Sequence, residues 1–98
     1  MKIVTICGSM KFQNKMIEIA SELEKKLGWC VIQCVYNSAE DETFTKEEMY
    51  NIVNAHWKKI DISDAIYVVN VGGYIGTSTK NEIEYALSKQ KEVIYLEN

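Results

Sequence analysis

The chain has 98 residues, 47% hydrophobic and 26% charged, with a formal net charge of -3. This length suits one small domain, 1–98, and the composition specifies a packed core rather than disorder. The mildly acidic balance, with no long basic run, argues against a nucleic-acid polymer or a membrane surface as partner but leaves room for a small anionic ligand.

Cys7, Cys30 and Cys34 form an odd set without a CxxC pair. They read as reduced thiols of a cytoplasmic protein, not as a disulfide or zinc framework, so neither a metal nor a cofactor is expected. No stretch reads as a signal peptide or a transmembrane run. The chain contains no proline, so its breaks fall to Gly, Asn, Asp and Ser.

In chain order, Lys2–Cys7 (KIVTIC) is β-branched and apolar, as in a strand covered on both faces. Gly8 and Ser9 end it. From Met10 to Leu27 the apolar positions Phe12, Met16, Ile17, Ala20, Leu23 and Leu27 predict a helix, closed by Gly28 as a C-terminal cap. Trp29–Tyr36 predicts a second strand, and the polar segment 37–43, with Glu40, Asp41 and Glu42, an exposed loop. Thr45 and Glu48 form a capping-box pattern, which predicts a helix with an apolar stripe of Met49, Ile52, Val53, His56, Trp57 and Ile60. Asp61 and Asp64 suit turn and capping chemistry between that helix and the next strand. Ala65–Val71 predicts the third strand. A glycine-rich turn, a helix over about Lys80–Lys89 and a strand at Val93–Leu96 follow.

Strands alternating with helices imply parallel pairing through right-handed crossovers. The predicted fold is α/β, a flavodoxin/Rossmann-like three-layer sandwich with a four-stranded parallel sheet in the order 2-1-3-4. The order reverses between strands 1 and 3. The segments 7–11 and 71–78 should therefore flank one crevice at the carboxyl ends of the strands.

The stretch VVNVGGYIGTSTKNEIEYA, Val68–Ala86, concentrates the candidate chemistry there. Gly72, Gly73 and Gly76 would let the backbone approach a phosphate or ribose, and Thr77 and Ser78 would add hydroxyl donors. The pattern matches neither GxGxxG nor GxxxxGK[ST], and an ordinary strand-to-helix turn explains it equally well. Glu82 has two readings: a carboxylate facing the crevice as nucleophile or base, or the second half of a Thr79-x-x-Glu82 capping box. On the opposite wall, Gly8, Ser9, Met10 and Lys11 could hold an anion, or Ser9 could simply cap the first helix. Cys7 ends strand 1, but a CxxxxxR phosphatase loop would need arginine where Gln13 stands. His56, the single histidine, falls on the apolar stripe of the second helix, where a core role is the ordinary one.

Two segments, KIVTICGSM and IDISDAIYVVNVGGYIGTSTKNEIEYA, resemble the nucleoside 2-deoxyribosyltransferase-like superfamily, in particular its short bacterial and phage members. That superfamily includes deoxynucleoside 5'-monophosphate N-glycosidases. The resemblance covers essentially the whole chain and is strongest at residues 1–11 and 60–96. It implies cleavage or transfer at the N-glycosidic bond of a nucleoside or nucleoside 5'-monophosphate. Glu82 would attack C1' of the sugar, and water or a second base would resolve the glycosyl-enzyme. Gly8, Ser9, Met10 and Lys11 match the segment that lies against the sugar and phosphate, with Lys11 where arginine is usual. By position, the hydroxyls of Thr77 and Ser78 would be phosphate ligands, and Gly73 and Gly76 beside them are substrate-binding candidates from the turn itself. A homo-oligomer is expected, because the family often completes its pocket from a neighbouring subunit.

Three positions depart from the family pattern. His56 stands where an aspartate is common and could take over as acid/base. Glu84 stands where glycine is usual, and a charge there would narrow the pocket. Thr5 stands where some hydrolases carry tyrosine. A nucleotide-binding domain without catalysis, or a phosphotransfer module built on Cys7, are the alternatives on the same topology.

Overall fold

A computed structural model describes residues 1–37 and 43–98. Four strands, β1 (Ile3–Gly8), β2 (Cys30–Ile32), β3 (Ala65–Val69) and β4 (Glu92–Tyr95), form one parallel sheet in the order β2-β1-β3-β4. Three helices join them: α1 (Gln13–Glu22), α2 (Lys46–Asp61) and α3 (Thr77–Ser88). The predicted α/β architecture and strand order are therefore observed. The exposed loop predicted at 37–43 falls mostly on residues 38–42, outside the described residues.

The core lies on both sides of the sheet because β1 and β3 alternate between faces. Val4 and Ile6 of β1 and Ala65 and Val69 of β3 pack with Met16, Ile19, Ala20 and Leu23 of the first helical segment. On the other face Cys7, Ile66 and Val68 pack with Ile60 of α2 and Ile83 and Ala86 of α3. Thr5 also points to that second face. Its hydroxyl meets Ser63 Oγ at 2.7 Å and donates to the Lys59 carbonyl at 3.1 Å, pinning the end of α2 to the central strand.

The helical segment after β1 differs from the expected continuous helix. Ser9 caps a short 3-10 turn, Met10–Phe12, the α-helix runs over Gln13–Glu22, and Leu23–Leu27 widens into a π-helical turn. Gly28 closes it in the left-handed region, φ 68°, as expected of a C-terminal cap. Ile19, not Ile17, completes the buried stripe, because 16, 19/20 and 23 share one face whereas Ile17 is exposed. β2 is shorter than the expected Trp29–Tyr36. It is an edge strand with only β1 as partner, and pairing stops at Thr5↔Ile32. The Thr45–Glu48 capping box forms in both directions, Thr45 N–H to Glu48 Oε1 at 2.8 Å and Glu48 N–H to Thr45 Oγ1 at 3.0 Å.

β3 ends at Val69, two residues short of the expected Val71, because the chain turns into a 3-10 turn at Val71–Gly73. Gly72 and Gly73 sit at positive φ, 64° and 81°. Glu97 holds this turn: its carboxylate accepts from the Gly72 N–H at 3.0 Å, and its backbone exchanges two hydrogen bonds with the Asn70 side chain at 2.9 Å. Gly76 then adopts an extended conformation and α3 begins at Thr77, one turn before the expected Lys80. The Thr79–Glu82 capping box is therefore not the helix start. Thr79 lies buried inside the first turn and Glu82 in the second.

Candidate active site

The switch in strand order places the carboxyl ends of β1 and β3 side by side, Gly8 opposite Val69. The chain leaves β1 toward one face and β3 toward the other, and a cavity of about 400 Å³ opens between them. Cys7, Gly8, Ser9 and Met10 form one wall. Tyr74, Gly76, Thr77, Ser78, Thr79 and Glu82 form the second. Met49, Ile52, Val53, His56 and Trp57 of α2 form the third, and Cys34, Val35, Asn37 and Phe44 complete the rim.

The apolar stripe of α2 therefore divides. Ile60 enters the core at 0% exposure, whereas Met49 and Val53 keep 43% and 41% and face the opening. Periodicity identified the face correctly, but a cavity wall and a core face carry the same spacing. Phe44, Asn37 and Tyr74 had no sequence signal that singled them out. Asn37 is held by Gln13, whose side-chain amide accepts from the Asn37 N–H at 2.9 Å and donates to its carbonyl at 3.0 Å. The glutamine at that position thus fixes the strand-2 exit.

Of the candidate residues, Gly8, Ser9, Met10, Gly76, Thr77, Ser78, Glu82 and His56 all line the cavity. Gly73 and Lys11 do not. Gly73 serves the turn that its positive φ requires. Lys11 places its Nζ 3.4 Å from the centre of the Tyr74 ring, while Phe12 meets the same ring edge-on at 6.0 Å. These contacts tie the two walls together beside the mouth through a cation–π contact and an aromatic pair. Glu84 is exposed and lies outside the cavity lining, so it does not narrow the pocket as expected.

On the floor, His56 Nε2 lies 3.5 Å from Glu82 Oε1 and 3.4 Å from Cys7 Sγ. The His56 side chain is 9% exposed and that of Glu82 19%. Glu82 thus points across the cavity floor at His56. Burial, and after it the neighbouring Glu82 carboxylate, push the Cys7 thiol well above its ordinary pKa. A thiol so held stays protonated at neutral pH and is a poor nucleophile, which counts against a phosphotransfer role. Cys34 is also raised, first by burial and then by Glu82.

The first turn of α3 adds the positive end of a helix dipole and the hydroxyls of Thr77, Ser78 and Thr79, with no side chain capping its N-terminus. The cavity is therefore polar at the α3 end, where the helix start offers hydroxyls and backbone N–H groups, apolar at the α2 end, and carries an imidazole–carboxylate pair on its floor.

No protein-family model matches the chain, and no curated protein is similar to it. Among solved structures the chain is similar to the CMP N-glycosidase BcmB of Clostridium botulinum. The TM-score is 0.63 at 22% sequence identity, over 96% of this chain and 70% of that one. At that identity the likeness speaks to the fold. Among the described residues, no helix is long and apolar enough to cross a membrane.

Proposed function

We propose that this domain cleaves the N-glycosidic bond of a nucleoside 5'-monophosphate, releasing the free base. The observation that carries the reading is the placement of Glu82 and His56, 3.5 Å apart, on the floor of a cavity with one polar and one apolar end. The similar solved structure is that of an N-glycosidase acting on CMP, which supports the same reaction class.

In this reading the phosphate sits at the N-terminus of α3, against Thr77 and Ser78 and the facing backbone of Gly8–Met10. The base stacks among the apolar residues of α2 and Tyr74. The sugar then bridges the two ends over Glu82. The Glu82 carboxylate attacks C1', and the C1'–N bond breaks with its electron pair going to the base. His56, protonated at Nε2, gives that base its proton. A water then loses a proton to His56 and attacks C1', which frees Glu82 and completes hydrolysis. Transfer to a second base is the same sequence with a different acceptor.

The test is incubation of the protein with ribo- and deoxyribonucleosides and their 5'-monophosphates, with free base measured by chromatography. Base release from a monophosphate, and less from the matching nucleoside, is expected. Thermal stabilisation by the monophosphates without any release would instead identify a binding domain.

A further inference from the structure

Cys7, His56 and Glu82 arrive from three different elements, β1, α2 and α3, yet their ligand atoms all lie within 4.8 Å of one another. Two of the separations are 3.4 Å, Cys7 Sγ to His56 Nε2, and 3.5 Å, His56 Nε2 to Glu82 Oε1. A tetrahedral zinc ion, with bonds of about 2.3 Å to sulfur and about 2.0 Å to nitrogen and oxygen, separates its ligand atoms by roughly 3.3–3.6 Å. The two measured edges therefore already have the size of a zinc tetrahedron. The third, Cys7 Sγ to the Glu82 carboxylate, lies within 4.8 Å and has to shorten for all three atoms to bind one ion. We propose that Cys7, His56 and Glu82 form a binding site for a borderline-soft divalent cation, Zn²⁺, whose fourth position opens into the cavity.

Charge and chemistry agree with this ion. A thiolate and a carboxylate together neutralise a dication, and the imidazole binds as a neutral ligand, so the occupied site carries no net charge at a nearly closed floor. The mixed S, N, O set favours zinc over magnesium or calcium, which take oxygen ligands. On binding, the Cys7 S–H bond breaks and its proton goes to solvent, a sulfur–metal bond forms, and the ion sheds water from its shell. Nothing is oxidised or reduced. The three ligands come from elements far apart in the chain, which is why no sequence spacing signals the site.

Occupation has a consequence that rests on the N-glycosidase reading. The metal engages the Glu82 oxygen that would attack C1' and the Nε2 that would move the proton. Zinc is then an inhibitor of base release, competing for the same two side chains.

The experiment uses the full chain, reduced and stripped with a chelator, titrated with Co²⁺ and then Zn²⁺. One ion per chain is expected, with a thiolate-to-cobalt charge-transfer band in the near ultraviolet and visible bands of tetrahedral intensity. Zn²⁺ should displace both. Cys7→Ser should remove the charge-transfer band while Cys30→Ser keeps it, and Glu82→Gln should weaken binding at least about tenfold. Circular dichroism monitors folding, and the cavity-facing Glu82→Gln serves should Cys7→Ser fail to fold. A pale octahedral spectrum, or unchanged binding in Glu82→Gln, overturns the metal site. Base release is measured in parallel on the metal-free protein. A cobalt–thiolate spectrum without any base release leaves the metal site standing and removes the N-glycosidase reading. Base release unaffected by one equivalent of Zn²⁺ overturns the competition between the two.

Discussion

His56 Nε2 faces Glu82 Oε1 at 3.5 Å, across the seam where α2 and α3 meet on the second face of the sheet. Neither helix alone defines the pair. Ile60 and Ile83, packed in the same core cluster beneath, set how far apart the helices sit. Thr5 and Ser63 fix the end of α2 against β1. The pair is thus a product of core packing rather than of the loops that form the walls. Geometry held by packed elements is what a reaction at a defined carbon requires.

Glu82→Gln keeps the shape of the side chain and removes the nucleophilic charge. Base release should fall by at least about 10³-fold, with the nucleotide still bound. His56→Gln should lower kcat by roughly 10²–10⁴-fold, the usual size of a general-acid contribution, and change KM little. In the first turnover, where only bond cleavage is read, a substrate whose leaving base needs no proton should restore much of the His56→Gln loss and none of the Glu82→Gln loss. Equal restoration of both would show that the assigned roles are wrong.

Gly8 is a packing position and Gly76 is not. A Cβ on Gly8 would stand 3.1 Å from Met16 Sδ and 3.2 Å from the Val69 carbonyl oxygen, and the latter belongs to the paired strand β3 and has little room to yield. On Gly76 the nearest atom is Tyr74 Oη at 3.7 Å, an ordinary contact, and φ is negative. Gly8→Ala should therefore destabilise by about 1–3 kcal/mol in urea unfolding, the usual cost of overpacking. Gly76→Ala meets no close contact and loses only the N-cap preference of glycine at the start of α3, so it should cost less, no more than about 1 kcal/mol. Similar losses for the two would contradict the close approach of β1 and β3.

The start of α2 offers a local test. Both capping-box hydrogen bonds are made at Thr45 and Glu48, and the helix they begin carries one wall of the cavity. Thr45→Ala should cost about 0.5–2 kcal/mol of stability. Amide exchange should speed up over residues 46–50 more than near His56, since only the first turn loses its cap.

These positions separate what the sequence made legible from what it did not. The Thr45–Glu48 pair and Gly28 are local devices, and local pattern predicted both correctly. The apolar runs at β1 and β3 specified buried strands, and the alternation of strands with helices led to the parallel sheet, its order and the crevice. Thr79–Glu82 shows the limit. It has the same local pattern as Thr45–Glu48 but lies inside a helix that Gly76 starts earlier. Only contact with α2, remote in sequence, gives Glu82 its setting. The α2 stripe shows a second limit, since spacing reports which face is apolar but not whether a core or a cavity lies against it. Lys11 shows a third: a charge near a predicted anion site turned instead to the Tyr74 ring.

The buried thiol makes stability depend on pH in a direction that can be worked out. In the fold the Cys7 pKa is raised well above its ordinary value, by burial and then by Glu82, whereas in the unfolded chain it returns to about 8.5. Above that pH the unfolded chain releases a proton that the folded chain keeps. The stabilisation is therefore complete below about pH 8.5 and is lost as pH rises toward the folded value, at up to about 1.4 kcal/mol per pH unit for one thiol. Cys34, raised by burial and then Glu82, and Tyr36, raised by burial and then Cys34, act in the same direction. Urea midpoints of the chelator-treated protein should thus hold level near neutral pH and fall only above about pH 8.5. Cys7→Ser cannot ionise there and should flatten part of that slope, the remainder belonging to Cys34 and Tyr36. Alkylation should agree, with Cys7 reacting far more slowly than the partly exposed Cys30 at neutral pH. An alkaline slope identical in Cys7→Ser and the parent protein would mean that the Cys7 thiol is not held protonated on the cavity floor.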